Sequence, residues 1–270
     1  MARRPRHPAV IRGAVGTTGI AYRVDGPATA PAIVFLNSLG TTHGMWEWQL
    51  PALYDWRVVR YEGNGHGESA LRTGPVTIET LCADLLALLD HLRVERAVLC
   101  GCSMGGLIAL RAAATHPARV TGAVLANTGA RVGTVDGWNA RIAAVREGGM
   151  TAIRDGVVGR FLSDAFRARH PEVVGRIGAM LDAVDPEGYV AACEALRDAD
   201  LRPLLPKVRV PTLVVGGSLD QSTPPSLAEE LHAGIAGSTL EILPAAHLSM
   251  VELPGPFNAR LRRFLESEQS

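Results

Sequence analysis

Gly101-Cys102-Ser103-Met104-Gly105-Gly106 is the stretch of the chain that decides its fold. It follows an apolar run that ends at Cys100 and precedes a helical pattern, so it is predicted to form a sharp strand-to-helix turn. Glycines on both sides of the serine allow the close backbone approach that such a turn needs. The pattern predicts Ser103 as a nucleophile. It also predicts the backbone N–H of Met104, at the positive end of the following helix, as a donor to an oxyanion.

Two other interpretations of this stretch are open. One is a glycine-rich turn with an incidental serine, because Gly-x-Ser-x-Gly occurs by chance in many sequences. The other is a phosphate-binding loop, but such loops place a lysine after the glycines, and Leu107 and Ile108 follow here. The strand before the serine and the helix after it favour the nucleophile.

The rest of the chain predicts an α/β fold with a mostly parallel central sheet flanked by helices. Short runs rich in Val, Ile and Leu recur between helical patterns, as expected of strands buried on both faces. One helix is predicted after Pro75 with Thr77 as its N-cap, and another over residues 104–114. The predicted strands span residues 32–36, 57–61, 97–100, 122–125, 212–215 and 239–243.

The strand pattern stops between residues 128 and 205. This segment is rich in alanine and arginine with helical periodicity, and one glycine pair, Gly148-Gly149, and several prolines interrupt it. The strand pattern resumes at Pro211. The sequence therefore predicts a core made of residues 1–127 and 206–270, with residues 128–205 inserted as a helical cap over the active site.

A serine hydroxyl is a weak nucleophile at neutral pH, so it needs a base, and the base needs a partner on its other nitrogen. His247 follows the last predicted strand and Asp220 follows the strand before it. The carboxyl ends of parallel strands meet at one edge of a sheet, where Ser103 also projects. We therefore predict His247 as the general base and Asp220 as the carboxylate that orients it.

Other histidines and acids compete for these roles. His66 lies in a glycine-rich loop, where a structural role in a tight turn is favoured over catalysis, and His43 is a candidate for lining the pocket. Asp198 and Asp200 end the insertion and are predicted to be surface or hinge groups. Asn127 occupies the loop after the strand at residues 122–125, so no second acid competes with Asp220 there.

A second oxyanion donor is expected from the loop after the first core strand. Leu36-Asn37-Ser38-Leu39-Gly40 occupies that position, and the backbone N–H of Leu39 is the candidate. A simple polar turn is an equally open interpretation, because sequence does not determine the direction of an amide.

Composition excludes several function classes. Lys plus Arg and Asp plus Glu each total 27, so the net charge offers no attraction to nucleic acid or to an anionic membrane. The basic run Arg3, Arg4 and Arg6 is interpreted as a solvated tail. No apolar run approaches the ~18 to 20 residues of a membrane helix, so a soluble, cytoplasmic protein is expected. The four cysteines lack metal-ligand or redox spacing and are predicted to be buried thiols; no metal site is predicted.

These residues resemble the β-ketoadipate enol-lactone hydrolases, within the larger group with the α/β-hydrolase fold. The order Ser103, Asp220, His247 is the order of that group. The match covers most of the chain, and its cap segments are more specific than the nucleophile motif, which many esterases share. The similar stretches are residues 35–41, 45–46, 101–107, 125–128, 138–142, 185–189, 196–201 and 246–249.

The resemblance implies hydrolysis of a five-membered enol lactone bearing a carboxylate, in the catabolism of aromatic compounds, without metal or cofactor. Ser103 would attack the lactone carbonyl and form an acyl-enzyme, an enol would leave and ketonise, and water activated by His247 would release the acid. A small-molecule lactone or ester is the expected partner, and a homo-oligomer is left open. Candidate substrate-binding residues are Asn37, Ser38, Arg131, Trp138 and Arg141.

One loop departs from the pattern of the family. The family has Asp-x-Arg-Gly-His-Gly after the third core strand, whereas this chain has Glu62-Gly63-Asn64-Gly65-His66-Gly67, without the arginine. The arginine is commonly structural in relatives, but Asn64 leaves open a change of substrate.

Other functions are open on the same scaffold. A general carboxylesterase, a different lactonase or a carbon–carbon bond hydrolase would use the same three residues, and a cofactor-free perhydrolase is a weaker alternative. A ligand-binding relative or a non-hydrolytic cyclase belongs to another class. The complete Ser, Asp and His set argues against pure binding, because only catalysis needs all three.

Overall fold

One mixed, mostly parallel sheet of eight strands forms the centre of the molecule in the computed structural model, which describes residues 11–267. The order across the sheet is β1-β2-β4-β3-β5-β6-β7-β8, with β1–β2 and β2–β4 antiparallel and the other pairs parallel. The strands are β1 (Ile11–Ala14), β2 (Ala21–Asp25), β3 (Ala32–Leu36), β4 (Arg57–Tyr61), β5 (Ala97–Cys102), β6 (Val120–Ala126), β7 (Thr212–Gly217) and β8 (Thr239–Leu243). The predicted basic tail at Arg3, Arg4 and Arg6 lies outside the described residues.

Ten α-helices accompany the sheet in residues 11–267, five of them between β6 and β7. They are α1 (Ile78–His91), α2 (Met104–Thr115), α3 (Val135–Gly148), α4 (Arg154–Phe161), α5 (Asp164–Arg169), α6 (Pro171–Asp182), α7 (Pro186–Asp198), α8 (Pro225–Gly234), α9 (Ser249–Glu252) and α10 (Pro254–Ser267). Short 3-10 helices lie at His43–Ala52, Pro117–Arg119, Met150–Ala152 and Arg202–Lys207. None of the helices within these residues has the length and apolar character needed to span a bilayer.

The six strands predicted from apolar runs are all present, and β5, β6 and β7 are longer than predicted. Strand β5 continues through Gly101 and Cys102. Neither residue is a Val, Ile or Leu, so the sequence pattern did not extend the strand to them. The antiparallel strands β1 and β2 were not among the predicted strands, because each contains only one Val, Ile or Leu and so lacks the apolar run that marks the others. Helices α1 and α2 confirm the predicted helices, and Thr77 caps α1 by accepting from the N–H of Thr80.

Burial explains why the apolar runs form the inner strands. Every residue of β3, β5 and β7 is buried, whereas β8 at the edge of the sheet is half-exposed. Leu81, Leu85, Leu88 and Leu89 on α1 are buried at helical spacing, as the predicted stripe requires. All four cysteines are free, buried thiols, which confirms the packing interpretation.

The register of the parallel strands brings their following loops to one edge. Gly101 on β5 is paired with Leu36 on β3 and with Leu125 on β6, and Leu125 is paired in turn with Val214 on β7. The loops after these strands therefore begin at the same level of the sheet. This level is where the candidate catalytic residues lie.

Helices α3 to α7 form the segment that covers this edge, and all five lie within residues 128–205. Two backbone hydrogen bonds join the segment to the rest of the described chain: Asp185 N–H to Gly65 O (2.9 Å) and Leu248 N–H to Phe161 O (2.9 Å). A third, from Leu201 N–H to Ala130 O (2.8 Å), joins the two connections that flank α3 to α7. We use the word cap for α3 to α7 and their connections; its limits at 128 and 205 stay a prediction.

Candidate active site

Ser103 stands at the turn between β5 and α2 in a strained backbone conformation. Its φ of 53° and ψ of −117° are unusual for a residue with a side chain, and such strain is typical of functional sites. The Ser103 N–H donates to Ala126 O at 3.0 Å, and the Thr128 hydroxyl donates to Ser103 O at 2.7 Å. Bonds to β6 and to the loop after it thus stabilise the turn.

The glycines of the motif are required by close packing. A Cβ atom at Gly101 would overlap the carbonyl oxygen of Gly105, and one at Gly105 would overlap the carbonyl oxygen of Leu36. The Gly105 N–H also donates to Asn37 O at 3.1 Å. Helix α2 can therefore begin directly behind the end of β3 only because both positions lack a side chain.

His247 and Asp220 form a buried pair on the loops after β8 and β7. His247 Nδ1 lies 2.9 Å from Asp220 Oδ2, and both side chains are almost fully buried. An ionised carboxylate can only accept, so Nδ1 has the proton and Nε2 is left as the acceptor. Nε2 is therefore the nitrogen that can take a proton from a nucleophile.

The Asp220 carboxylate is surrounded by donors. Its Oδ1 accepts from the N–H groups of Ser222 (2.8 Å) and Thr223 (2.9 Å), and its Oδ2 accepts from the Thr223 hydroxyl (2.6 Å) and from Asn127 Nδ2 (3.0 Å). Burial acts to raise the pKa of Asp220, but the charge and hydrogen bond of His247 and the bonds from Thr223 outweigh it and lower the pKa to about 2. The carboxylate is therefore ionised at neutral pH.

Ser103 and His247 line the same cavity, which has a volume of about 310 Å³. The carbonyl oxygen of His247 lies 3.9 Å from Sγ of Cys102, the residue before Ser103, so the histidine backbone passes beside the turn. Nε2 of His247 lies 3.5 Å from the hydroxyl of Ser38, which also lines the cavity. Phe161 of the cap stacks on the imidazole, with ring centroids 5.5 Å apart.

The two backbone N–H groups predicted as oxyanion donors belong to Leu39, which lines the cavity, and to Met104, which follows Ser103. Within residues 11–267 neither Leu39 N–H nor Met104 N–H has an intramolecular acceptor, and Met104 is the first residue of α2. Ser38 O accepts from both the N–H (3.1 Å) and the hydroxyl (2.7 Å) of Thr41. Because a trans peptide points its C=O and N–H in opposite directions, these bonds also orient the Leu39 N–H.

His66 supports the same loop instead of joining the cavity. Its Nδ1 lies 2.8 Å from Asn64 O and its Nε2 accepts from the Gly40 N–H at 3.1 Å. Burial lowers the pKa of His66, with an opposing effect from its bond to Asn64. The structural role predicted for this residue is therefore the one its contacts support. His43 is not among the cavity residues; its Nδ1 lies 2.9 Å from Glu62 Oε1.

The predicted substrate-binding residues divide into two groups. Ser38, Trp138 and Arg141 line the cavity. Arg131 is half-exposed and directed to Asp200 at 3.9 Å, outside the cavity lining. The side chain of Asn37 donates to Tyr61 O (2.8 Å) and accepts from Trp46 Nε1 (3.1 Å), so its amide is used inside the protein.

The two acids that end the insertion lie at the surface. Asp198 pairs with Arg197 at 2.8 Å, and Asp200 pairs with Arg202. Both carboxylates are exposed or half-exposed, as predicted for surface groups.

Several residues of the site were not predicted from the sequence. Asn127 and Thr223 hold Asp220, and Arg160, Phe161 and Tyr189 line the cavity. Tyr189 lies in one of the family-like cap stretches, which could have indicated it. Arg160 is one of many arginines in the cap, and no local pattern distinguishes it from those that face solvent.

Asn64, where the family has arginine, has a local structural contact. Its Oδ1 accepts from the Arg72 N–H at 2.5 Å, and the Arg72 guanidinium lies 2.6 Å from the buried carboxylate of Asp84. Asn64 is not among the cavity-lining residues. The difference from the family sequence at Asn64 therefore affects how this loop packs, and Asn64 does not line the cavity.

No group of three or more His, Cys, Asp or Glu side chains in residues 11–267 is placed to hold a metal ion. Ser103, His247 and Asp220 offer a hydroxyl, an imidazole and an ionised carboxylate, the three groups that acyl transfer to serine uses.

A mostly parallel eight-stranded sheet with a strained serine between strand and helix, and with a His–Asp pair on later strand-end loops, defines an α/β hydrolase. The sequence matches the alpha/beta hydrolase fold family over residues 31–254, and the chain belongs to this family. The fold expected from the sequence is confirmed.

Known relatives within the family are more specific. The chain is 40% and 38% identical to 3-oxoadipate enol-lactonases 2 and 1 of Acinetobacter baylyi. The two alignments cover 90% and 97% of this chain and 93% and 98% of the relatives. Its structure is similar to the crystal structure of the enol-lactonase from Burkholderia xenovorans LB400, with a TM-score of 0.92, 40% identity, and coverage of 95% of this chain and 100% of that chain. The resemblance stated from the sequence is confirmed, and the chain is a hydrolase of ester bonds.

Proposed function

We propose that this protein opens an enol lactone that bears a carboxylate, by way of an acyl-enzyme on Ser103. The observation that supports it most directly is the position of His247, which is bonded through Nδ1 to the buried Asp220 and shares a cavity with Ser103. A nucleophile, a base and an orienting carboxylate are the three groups that acyl transfer to serine needs. The names of the relatives indicate the enol lactone as the substrate.

In the first half of the proposed cycle, Ser103 Oγ attacks the lactone carbonyl while Nε2 of His247 takes its proton. The carbonyl oxygen becomes an oxyanion that accepts from the N–H groups of Leu39 and Met104. Asp220, ionised because its pKa is about 2, stabilises the imidazolium. Collapse breaks the ring C–O bond, His247 returns the proton to the leaving oxygen, and the resulting enol ketonises.

In the second half, a water molecule gives its proton to Nε2 of His247 and attacks the acyl group on Ser103. The same two N–H groups donate to the second oxyanion, and the Ser103–acyl bond breaks as Ser103 Oγ takes the proton back from His247. The cycle uses only groups of the chain and water. Loss of one oxyanion donor typically raises the barrier by ~2.7 to 4 kcal/mol, so both are needed for an efficient enzyme.

The charge of the cavity supports a substrate with a carboxylate. Arg141 lines it, with its guanidinium over the ring of Trp138 at 5.0 Å, and no aspartate or glutamate is among the lining residues of the described chain. A guanidinium is a bidentate partner for a carboxylate. The net charge of zero supports a small molecule as the partner, because it offers no attraction to nucleic acid or to an anionic membrane. The names of the relatives, enzymes of small-molecule chemistry, are consistent with a cytoplasmic location.

The decisive experiment is to detect an acyl adduct on Ser103 by mass spectrometry during turnover of a carboxymethyl-substituted enol lactone. Ser103→Ala should abolish the adduct and lower kcat by at least ~10⁴-fold while the protein remains folded. Ser226→Ala, an exposed serine on α8, is the matched control and should leave turnover unchanged. Undiminished turnover by Ser103→Ala would show that the reaction does not pass through an acyl-enzyme on Ser103.

The substrate class is tested with a panel. We expect the enol lactone to be hydrolysed with the highest kcat/KM, ahead of p-nitrophenyl esters and of the diketones produced by aromatic ring cleavage. The highest kcat/KM for neutral esters would indicate a general carboxylesterase, and the highest kcat/KM for diketones would indicate a carbon–carbon bond hydrolase.

A further inference from the structure

Two arginines of the cap project into the cavity without a carboxylate partner. Arg141 on α3 and Arg160 on α4 both line it, and in residues 11–267 neither has an acidic group within ion-pair distance. Other arginines of the same helices are paired at the surface: Arg146 with Glu194 at 3.0 Å, and Arg154 with Asp182 at 2.9 Å. The two unpaired guanidiniums are thus the ones that face the cavity.

Tyr189 on α7 adds a third donor. Its side chain is fully buried and lines the same cavity. Its hydroxyl makes no hydrogen bond of full geometry among the described residues, although the Arg141 guanidinium lies close enough to act on it. Burial, opposed by the nearby Arg141, raises the pKa of Tyr189 to about 12, so the hydroxyl keeps its proton at neutral pH. A buried hydroxyl without a partner is destabilising, and in native proteins such a group usually has an acceptor when the site is filled.

The two guanidiniums are close enough to affect each other. Burial, together with the charge of Arg141, lowers the pKa of Arg160, and the phenol of Tyr189 opposes this effect. Two like charges that face one half-buried space repel each other unless an anion lies between them. The stacking of Arg141 on Trp138 holds one of the two in place before any ligand arrives.

We propose that Arg160 and Tyr189 join Arg141 to form one carboxylate subsite that determines the preference for lactones with an anionic side chain. This inference rests on the function proposed above and names the residues that select its substrate. A carboxylate has about four lone-pair positions. It can therefore accept two parallel bonds from one guanidinium, one from the other and one from the phenol. Such bonds strengthen binding of the carboxylate, and the lactone carbonyl remains accessible to Ser103.

The test separates binding from turnover by using Ser103→Ala as the parent. Calorimetric titration with a carboxymethyl enol lactone and with its neutral methyl analogue gives Kd for each. Adding Arg160→Gln or Tyr189→Phe should raise the Kd for the carboxymethyl lactone about 10- to 100-fold, the range for losing a hydrogen bond to a charged group. The Kd for the neutral analogue should change less than about twofold. Arg146→Gln, a surface arginine on α3, is the control and should change neither.

The active enzyme provides a second readout. With Ser103 intact, Arg160→Gln and Tyr189→Phe should raise KM for the carboxymethyl lactone with kcat little changed, because binding distant from the carbonyl is the same in ground and transition states. Arg160→Lys should recover part of the loss. A purely structural role would instead lower kcat for both lactones.

The possible failures are distinguishable. If wild-type protein hydrolyses neither lactone, the proposed function is wrong, and the titrations with Ser103→Ala still decide the subsite. The subsite is overturned if the parent does not bind the carboxymethyl lactone, or if Arg160→Gln and Tyr189→Phe leave its Kd unchanged. It is also overturned if these variants raise the Kd for both lactones by the same factor.

Discussion

His66 links the loop after β4 to the loop that contains Leu39. The neutral imidazole fits its contacts, because Nδ1–H donates to Asn64 O while Nε2 accepts from Gly40 N–H. A protonated imidazole would have a second N–H directed at the Gly40 N–H. Burial disfavours the charged form as well and lowers the pKa of His66. The loop next to Leu39 is therefore held by a residue that must remain uncharged.

This arrangement predicts a specific pH dependence of stability. The unfolded chain binds a proton at His66 below pH ~6.5 that the folded chain resists, so the contribution is complete above that pH and is lost as pH falls below it. His66→Gln should be less stable than wild type at pH 7.5. Its free energy of unfolding should fall less between pH 7.5 and pH 5, as measured by urea denaturation.

His116→Gln, an exposed histidine after α2, is the control and should keep the wild-type pH dependence. An identical fall in stability for wild type and His66→Gln would show that His66 does not resist protonation.

Asn127 is an amide at a position where a second acid would be damaging. Its Nδ2 donates to both Asp220 Oδ2 (3.0 Å) and Ala246 O (3.2 Å), and its Oδ1 accepts from the Ser249 hydroxyl at 2.5 Å. A carboxylate there would face Asp220 and would force one of the two acids to keep a proton. Asn127 thus joins the loops after β6, β7 and β8 while Asp220 stays ionised.

At the scale of secondary structure elements, the end of α9 is joined to the start of α5. The Glu252 carboxylate accepts from the backbone N–H of Ser163 and, at 3.1 Å, from its hydroxyl, and it lies 3.4 Å from the Ala246 N–H. The bond from Leu248 N–H to Phe161 O joins the same two segments of the chain. One buried carboxylate therefore connects the cap to the loop that holds His247.

Removing this carboxylate should affect both stability and turnover. Glu252→Ala leaves three donors without their acceptor, and we expect the free energy of unfolding to fall by about 2–3 kcal/mol. We also expect a lower kcat, because Ala246 precedes His247, the proposed general base. Urea denaturation and steady-state kinetics measure the two effects.

Glu229→Ala, an exposed glutamate on α8, controls for the loss of a charge and should change stability by less than about 0.5 kcal/mol. A stability for Glu252→Ala equal to that of the control would mean that water replaces the carboxylate without cost.

In the molecule as a whole, the cap and the sheet are joined closely enough to unfold together. Gly65 and Gly188 are in backbone contact: a Cβ atom at Gly65 would lie 2.7 Å from the Gly188 Cα. The Asp185 N–H donates to Gly65 O at this same contact. We therefore expect a single thermal transition by calorimetry, with tryptophan fluorescence and far-UV circular dichroism coinciding.

Gly65→Ala should lower Tm more than Gly74→Ala. Both glycines have positive φ, but only Gly65 faces another backbone, whereas the space around Gly74 is open. Two separate transitions in wild-type protein, or equal Tm values for the two variants, would show that the cap unfolds independently of the sheet.

Much of the fold and part of the candidate site could be predicted from the chain. The inner strands are buried on both faces, so their apolar runs are visible in the sequence, and the loops after them could be assigned to one edge. Ser103, His247 and Asp220 were named for that reason. Strands β1 and β2 were not, because their partly exposed residues have no such pattern.

What the amino-acid sequence by itself determines is therefore the order of elements, the strained serine turn and the residues that follow each strand. Only the tertiary structure decides which side chains meet across loops and helices: Asn127 with Asp220, Glu252 with Ser163, and Arg141, Arg160 and Tyr189 around one cavity. The physical reason is that strand burial is a local, periodic property of the chain. Contacts between α3, α4 and α7 depend instead on how helices far apart in sequence pack, and an arginine that faces a cavity has the same neighbours in sequence as one that faces water.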